Sequence, residues 1–186
     1  MTRSSQARLR GWDTSGVSDH VILRPVSEDD LPVLHRLTHD PEAAGEFEWA
    51  GWSDPHTWRR GWEKNGLLGP DGGTLMVART QELLGLVNWR GRGSGPAPSR
   101  WEIGIALLPQ ARGKGHGTEA QRQLTRYLFA HTTVHRIEAI TATGNIAEQK
   151  ALEKAGFTRE GVLRGIGWRE GDWRDGVLYS ILRTDP

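Results

Sequence analysis

Residues Leu107–Thr118 read LLPQARGKGHGT, and they say more about the fold than any other stretch of the chain. An alternating apolar run, Trp101–Leu107, leads into them and predicts a strand, whereas helical spacing of apolar residues follows from about Gly117. Three glycines at alternate positions, beginning at Gly113, lie between the strand and the helix. Glycines at such a junction let several backbone N–H groups converge on an anion near the positive end of the helix dipole. The stretch therefore predicts a phosphate-binding turn, and a diphosphate suits it.

The spacing of the glycines excludes two common phosphate loops. The ATP-type loop needs Ser or Thr after its lysine, but Gly115 follows Lys114. The dinucleotide fingerprint G-x-G-x-x-G fails as well, because the glycines run G-x-G-x-G. Arg112 and Lys114 would add positive charge. A glycine turn without a ligand is the alternative, and the strand before it and the helix after it argue against that alternative.

Alternation and helical spacing on both sides of this turn predict a mixed sheet with helices, of the α/β class. The predicted strands are Val21–Pro25, Thr74–Arg79, Leu83–Trp89, Trp101–Leu107, Arg136–Ala142, Thr158–Leu163 and Val177–Leu182. The predicted helices run from Ser27 to near Asp40, from Asp54-Pro55 onward, from about Gly117, and over Asn145–Ala155 with Gly156 as the cap. Turns or loops are expected at Thr80-Gln81, Gly91–Ser99 and Gly165–Gly176. Trp58 and Trp62 share a helix face, for packing or as the wall of a binding cleft.

Length and composition favour one domain over residues 20–186, preceded by a flexible N-terminal arm over residues 1–19. The 186 residues carry 24 Lys and Arg against 23 Asp and Glu, so the balance of charge predicts no nucleic-acid partner. The absence of Cys excludes disulfides and thiolate chemistry. No apolar run approaches the roughly 20 residues of a membrane span, so we expect a soluble, cytoplasmic protein without a membrane partner. His35 and His39 lack an evident third ligand, and no metal site is predicted.

Four motifs point to one known family. The run Gln110-x-x-Gly113-x-Gly115-x-Gly117 resembles the acetyl-CoA signature of the GNAT acetyltransferase superfamily. Asn145–Phe157 resembles the family segment N-x-x-S-x-x-x-x-E-K-x-G-F. Leu23-Arg24-Pro25 and Gly171–Ser180 are similar to the RimJ/RimL-like branch, which includes the ribosomal-protein N-terminal acetyltransferases. Together the matches span roughly residues 20 to 184.

The resemblance implies a central, mostly antiparallel sheet whose fourth and fifth strands splay apart, flanked by helices. It implies acetyl-CoA as cosubstrate, with the pantetheine arm along Ile105 and Leu107 and its far end near Asn145. The diphosphate would rest on backbone amides of the glycine turn. The residues assigned to acetyl-CoA are Ile105, Leu107, Gln110, Arg112, Gly113, Lys114, Gly115, His116, Gly117, Thr118 and Asn145.

The resemblance also guides the catalytic assignments. An amine must be neutral to attack a thioester, so a base is useful, and Glu102 on the fourth strand is the leading candidate. The alternative for Glu102 is an ion pair with Arg100 or Arg90. The resemblance places a loop beside the acceptor amine, and its acids compete as the base. That loop comprises Glu46, Phe47, Glu48 and Trp49.

Three further roles concern the acyl group and the departing thiolate. A backbone N–H in the splay, that of Ile105, is expected to stabilise the developing oxyanion. Asn145 is expected to bond pantetheine or to hold a catalytic water. Glu148 and Leu152 stand where related enzymes often have a Ser and a Tyr as general acid, so the proton donor is left open.

The sequence therefore predicts an acetyl-CoA-dependent N-acetyltransferase. The acyl group would pass to a primary amine, either a protein N-terminus or a small molecule, by direct attack on the thioester. The alternative is an acyl-CoA-binding sensor or pseudoenzyme with little turnover. The sequence leaves a homodimer open.

Overall fold

One sheet organises the chain in the computed structural model, which describes residues 20–80, 82–93 and 98–186. Its strands are β1 (Val21–Pro25), β2 (Gly72–Arg79), β3 (Glu82–Arg92), β4 (Arg100–Leu107), β5 (Arg136–Ala142), β6 (Thr158–Arg169) and β7 (Asp172–Leu182). A two-residue strand, Leu68–Gly69, pairs with β2. The helices are α1 (Leu31–His39), α2 (Pro41–Ala44), α3 (Thr57–Asn65), α4 (His116–His131) and α5 (Ile146–Ala155). Short 3-10 turns precede α1 at Glu28–Asp30 and α4 at Pro109–Ala111.

The sheet has the order β1-β2-β3-β4-β5-β7-β6. All of these neighbours are antiparallel except β4 and β5, which run parallel. A parallel pair needs a crossover connection, and α4 supplies it between these two strands. The predicted mixed, mostly antiparallel sheet flanked by helices is thereby confirmed.

The parallel pair opens into a wedge. β4 and β5 pair only from Trp101↔Ile137 to Ile103↔Ala139. β4 nevertheless stays paired with β3 as far as Leu107, and β5 stays paired with β7 as far as Ala142. The two strands therefore diverge after Ile103 and leave inner edges whose backbone groups do not pair with each other. Such edges need other hydrogen-bond partners, which makes the wedge a place for a ligand.

Two apolar layers cover the two faces of the sheet, as the period of two along each strand requires. On one face α4 and α5 bury a core that includes Leu124, Leu128 and Leu152 against Ile137. On the other face α1 packs its leucines against β2 and β3. These layers hold the wedge open on a rigid frame, with α4 beginning at its mouth.

The predicted helix after Asp54-Pro55 begins later than expected. Its first residue is Thr57, because the Asp54 carboxylate caps the preceding turn by accepting a hydrogen bond from the His56 N–H at 2.8 Å. Trp58 and Trp62 have the packing role. Their indole nitrogens donate to the Thr38 hydroxyl and the Val26 carbonyl, both at 3.0 Å.

The last two strands are longer than predicted. The segment Gly165–Gly176, expected to be rich in turns, continues the β6–β7 hairpin almost to its tip. A register irregularity between Leu163 and Gly167 absorbs the first glycines of this segment, and another lies earlier in β6, between Arg159 and Gly161. Beyond them, Trp168 and Trp173 pair across the strands, with ring centroids 5.5 Å apart.

Several predictions fall on parts of the chain outside the described residues. They are the N-terminal arm (1–19), Gln81 of the first hairpin turn, and residues 94–97 of the loop after β3. Within the described ranges, no helix combines the length and the apolar character that crossing a bilayer requires.

Candidate functional site

The glycine turn has the backbone shape that its sequence predicts. Gly113 and Gly115 adopt left-handed conformations, with φ of +73° and +82°. A Cβ at either position would meet no atom within 4 Å, so the conformation, and not crowding, calls for glycine. α4 then begins at His116 with Gly115 as its N-cap. A Cβ at Gly117 would lie 3.6 Å from the tips of Ile105 and Leu107, so the first turn of α4 sits directly on the end of β4.

A row of backbone donors faces outward from this turn. The N–H groups of residues 113–118 find no acceptor in the described part of the chain, and the first helical bond is Glu119 N–H to the Gly115 carbonyl at 3.2 Å. The Arg112 N–H differs, since it donates to the Pro109 carbonyl at 3.3 Å. Six consecutive N–H groups at a helix N-terminus form an anion site that suits a diphosphate.

The Arg112 side chain has a different position from the one expected. Its guanidinium turns away from the row of amides: Nε donates to the Leu107 carbonyl at 2.9 Å, and Nη2 donates to the carbonyls of Ala43 and, at 3.1 Å, Ala44. Arg112 therefore ties the glycine turn to the end of α2. Lys114 is exposed on the turn itself and remains a source of positive charge for an anion there.

A cleft of about 430 Å³ opens beside the wedge. Its walls come from the loop after α2, from β3 and β4, from the end of β5 and from the β6–β7 hairpin. Of the four predicted acceptor-loop residues, Phe47 and Glu48 line it, whereas Glu46 and Trp49 are not among its lining residues. The hairpin steadies this loop, because Arg169 Nη1 donates to the Glu46 carbonyl at 3.0 Å.

Glu102 lines the cleft as part of an ion-pair cluster. Its carboxylate accepts from Nε of both Arg90 and Arg92, at 2.9 and 2.8 Å, and from a second nitrogen of Arg90. Burial alone would raise the pKa of Glu102, but the hydrogen bonds from Arg92 and Arg90 outweigh it and lower the pKa. The ion-pair alternative is thus present with Arg90, while Arg100 binds Glu138 at 2.8 Å. A carboxylate held in this way is a weak base.

Glu48 has the opposite electrostatic setting. The residue is exposed at the surface of the loop, but the protein around its carboxyl displaces part of the water that would solvate it. This partial desolvation raises the pKa of Glu48 against the opposing charges of Arg169 and Arg112. A carboxylate that binds protons more readily than usual and faces a cleft is suited to accept one from a bound amine.

Glu148 is a titratable group whose potential could not be judged from the sequence. It lies in the first turn of α5, and its Oε1 accepts a hydrogen bond from Gln121 Nε2 on α4 at 2.6 Å. Burial raises the pKa of Glu148 to about 7, the charge of Glu48 adds to the rise, and the bond from Gln121 opposes it. Such a carboxyl carries a proton near neutral pH and can donate it. Leu152, one turn later, is 1% exposed in the core.

Asn145 has a structural role that was not predicted, because it precedes α5 instead of being its first residue. Its Oδ1 accepts from the Glu148 N–H at 3.2 Å and caps the helix. The side-chain nitrogen has no acceptor among the residues that the structure describes, and it remains available to a ligand. Ile105 lies in the unpaired part of β4. Gln110 and His116 flank the turn, the first exposed and the second half-buried. No cluster of three or more metal-ligating side chains occurs among the described residues.

Comparisons with known proteins agree with this geometry. The acetyltransferase (GNAT) domain family matches residues 20–158. The chain is 40% identical to the Probable N-acetyltransferase YjcK of Bacillus subtilis (strain 168) over 45% of this chain and 46% of that protein. It is 30% identical to the ribosomal protein uS5-alanine N-acetyltransferase of Escherichia coli (strain K12), over 64% of this chain and 57% of that one. The chain thus spans about half the length of these curated relatives.

A solved structure shares the fold. Spermidine N-acetyltransferase from Vibrio cholerae, solved with CoA and spermine, matches with a TM-score of 0.74 at 21% identity, and the match covers 89% of this chain and 96% of that one.

Proposed function

The chain belongs to the GNAT acetyltransferase family, and we propose that it transfers an acetyl group from acetyl-CoA to a primary amine. The amine attacks the thioester carbonyl directly, so that an amide and free CoA are formed. One observation carries this proposal: the N–H groups of residues 113–118, which have no acceptor in the described part of the chain, lie at the start of α4, whose first turn sits on the end of β4 beside the wedge.

The residues present fit acetyl-CoA. The diphosphate binds the amides of Gly113, Gly115, Gly117 and Thr118, where the backbone leaves the donors free. The pantetheine arm bonds to the open edge of β4 at Ile105 and Leu107, since that edge needs partners. The backbone N–H of Ile105 stabilises the negative charge that develops on the carbonyl oxygen. The side-chain nitrogen of Asn145 donates to the arm near its reactive end.

The acceptor amine occupies the cleft and loses its proton there. We assign this proton to Glu48, because its carboxylate faces the cleft and its pKa is raised. Glu102 is the other candidate base. Its two arginines make it a poorer one, so in this proposal it orients Arg90 and Arg92 in the wall of the cleft.

The departing thiolate needs a proton, and we assign Glu148 as the donor. It lies in the first turn of α5, where Gln121 holds its carboxyl, and it is near enough to Glu48 to feel the charge of that carboxylate. Over one reaction the protonated amine loses two protons: Glu48 takes the first before the attack, the second passes to water as the amide forms, and Glu148 gives its own proton to sulfur. Exchange with water then restores both carboxyls.

The test measures binding and turnover separately. Calorimetry with CoA should show heat at one site per chain, and incubation with acetyl-CoA and an amine panel should release free thiol. Binding without thiol release across the panel would favour the acyl-CoA-binding sensor, for which the absence of the family's Ser and Tyr is the motive. No binding of any CoA derivative would remove both functions. A cytoplasmic location and a homodimer stay predictions.

A further inference from the structure

The cleft beside the wedge is lined by four arginines. Arg90 and Arg92 extend from β3, and Arg169 and Arg174 extend from the β6–β7 hairpin. They come from parts of the chain about 80 residues apart in sequence and meet only in the fold. An anionic group in the cleft would therefore find guanidinium groups on two separate walls.

The carboxylates in the cleft do not cancel this charge. Glu102, Asp175 and Glu48 give three negative charges against four positive ones, an excess of one positive charge even when all are ionised. Glu102 is one buried carboxylate that pairs with both Arg90 and Arg92, so it offsets only one of their two positive charges. Asp175 accepts a hydrogen bond from the Gly165 N–H at 2.8 Å and holds the hairpin backbone. Only Glu48 is left facing the cleft without such a bond among the described residues.

Two of the arginines keep donors for a ligand. Arg92 uses Nε for Glu102, and its two terminal nitrogens have no acceptor within the described ranges. Arg174 is 52% exposed, and its ion-pair partner, Asp172, lies 3.7 Å away and is itself exposed. Guanidinium groups with free N–H donors bind a carboxylate in a bidentate manner. Arg92 and Arg174 therefore both keep N–H donors that can bind a ligand.

We propose that the acceptor is an amine that also carries a carboxylate, of amino-acid to dipeptide size. This inference rests on the proposed function and names its substrate class. The amine lies against Glu48, the carboxylate binds Arg92 and Arg174, and the apolar part of the molecule lies along Ile140 and Trp168. The cleft of about 430 Å³ suits a small molecule of this kind. A polyamine, in contrast, would set several positive charges against the arginines.

The experiment compares acceptors that differ only in the carboxylate. The common amino acids, the corresponding amino-acid amides and spermidine are each tested with acetyl-CoA, and kcat/KM is expressed per unprotonated amine. We expect the acids to exceed their amides by about tenfold, the value of one charge-assisted contact. Arg174→Gln should remove most of this preference, measured as the ratio of kcat/KM for each acid to that for its amide. Arg59→Gln, which alters an exposed ion pair on α3, serves as the matched control and should retain the preference.

The outcomes separate this inference from the proposed function. Acetylation of amides or spermidine in preference to the acids would overturn the inference and leave the N-acetyltransferase function standing. A preference for acids that persists in Arg174→Gln and in Arg92→Gln would also overturn it, because the carboxylate would then bind elsewhere. Binding of CoA with no turnover of any amine contradicts the proposed function, and the inference with it.

Discussion

Gln121 and Glu148 join α4 to α5 through a hydrogen bond of 2.6 Å between the Gln121 amide nitrogen and the Glu148 carboxyl. Gln121 is 1% exposed, so this contact places a titratable group against the core. Glu48 stands near enough for its charge to help raise the pKa of Glu148 to about 7, after burial, which contributes most. Two carboxyls with raised pKa values, Glu148 on α5 and Glu48 in the cleft, are therefore coupled electrostatically.

Replacing Glu148 by Gln should stabilise the protein at alkaline pH. The folded chain holds the Glu148 proton up to about pH 7, whereas the unfolded chain loses it near the ordinary pKa of 4.5. Folding is therefore penalised as pH rises between these values, and fully above pH 7. The variant lacks the penalty, so its free energy of unfolding at pH 8 should exceed that of the wild type by about 1 to 3 kcal/mol. Urea denaturation at pH 4 and pH 8 measures this difference, which should vanish at pH 4.

The same substitution should slow turnover. If Glu148 protonates the thiolate, kcat of the wild type falls as the pH rises through about 7. In Glu148→Gln this alkaline fall of kcat should be absent, and kcat itself should be lower by about tenfold or more. The affinity for CoA should change little. A pH profile for the variant identical to that of the wild type would exclude the donor role.

Substitution of Glu48 and substitution of Glu102 should affect kcat differently, because only Glu48 is assigned as the base. Glu48→Gln is expected to lower kcat by about 100-fold, within the usual range for a lost general base. Glu102→Gln leaves Glu48 in place as the proton acceptor but removes the charge that holds Arg90 and Arg92. We therefore expect the free energy of unfolding to fall by about 1 kcal/mol and the acceptor KM to rise. Steady-state kinetics and thermal unfolding on both variants decide between them. The reverse pattern of kcat would return the base role to Glu102.

Gly115→Val should weaken CoA binding at least tenfold, because a branched side chain projects into the space where the diphosphate meets the amides. Its left-handed backbone adds a stability cost of about 1 to 3 kcal/mol. Gly66→Val is the matched control, since Gly66 also has a left-handed φ of +66° and open space around it but caps α3. Calorimetry with CoA should find the control unaffected.

The side chain of Asn145 caps α5 through its oxygen and leaves its nitrogen available to a ligand. Two substitutions distinguish these two roles. Asn145→Ala loses the bond to the Glu148 N–H and should cost about 1 kcal/mol of stability. Asn145→Ser keeps an oxygen that can cap the helix and should not. Both lack the amide nitrogen, so kcat should fall equally in the two variants. A serine variant with wild-type kcat would confine Asn145 to the cap.

Arg112→Lys should affect the acceptor more than CoA. Lysine keeps the charge but cannot hold the three carbonyls of Leu107, Ala43 and Ala44 at once. We expect acceptor KM to rise severalfold, with CoA affinity changed by less than about threefold. A loss of CoA affinity larger than that would mean that the guanidinium binds phosphate after all.

Much of the fold follows from local patterns. The glycine turn could be predicted because the left-handed conformations at Gly113 and Gly115 are a property of the residue type itself. Asn145 and Gly156 bound α5 for the same kind of reason, the first as a side-chain cap and the second with a φ of +104°. The β6–β7 hairpin was predicted too short, because its many glycines read as turns while cross-strand pairing absorbs them.

The candidate catalytic carboxyls could not be ranked from the sequence. A pKa depends on burial and on charges brought near by distant parts of the chain: Glu148 meets Gln121 across 27 residues, and Arg169 reaches the Glu46 carbonyl across 123. Neighbouring residues alone were enough to predict the glycine turn, the strands and the helix that ends at Gly156, since each of these arises from local interactions. Three properties depend on distances that the whole fold creates and could be seen only there: which carboxyl is held by arginines, which has a pKa near neutral, and that the Arg112 guanidinium turns away from the amides of the glycine turn.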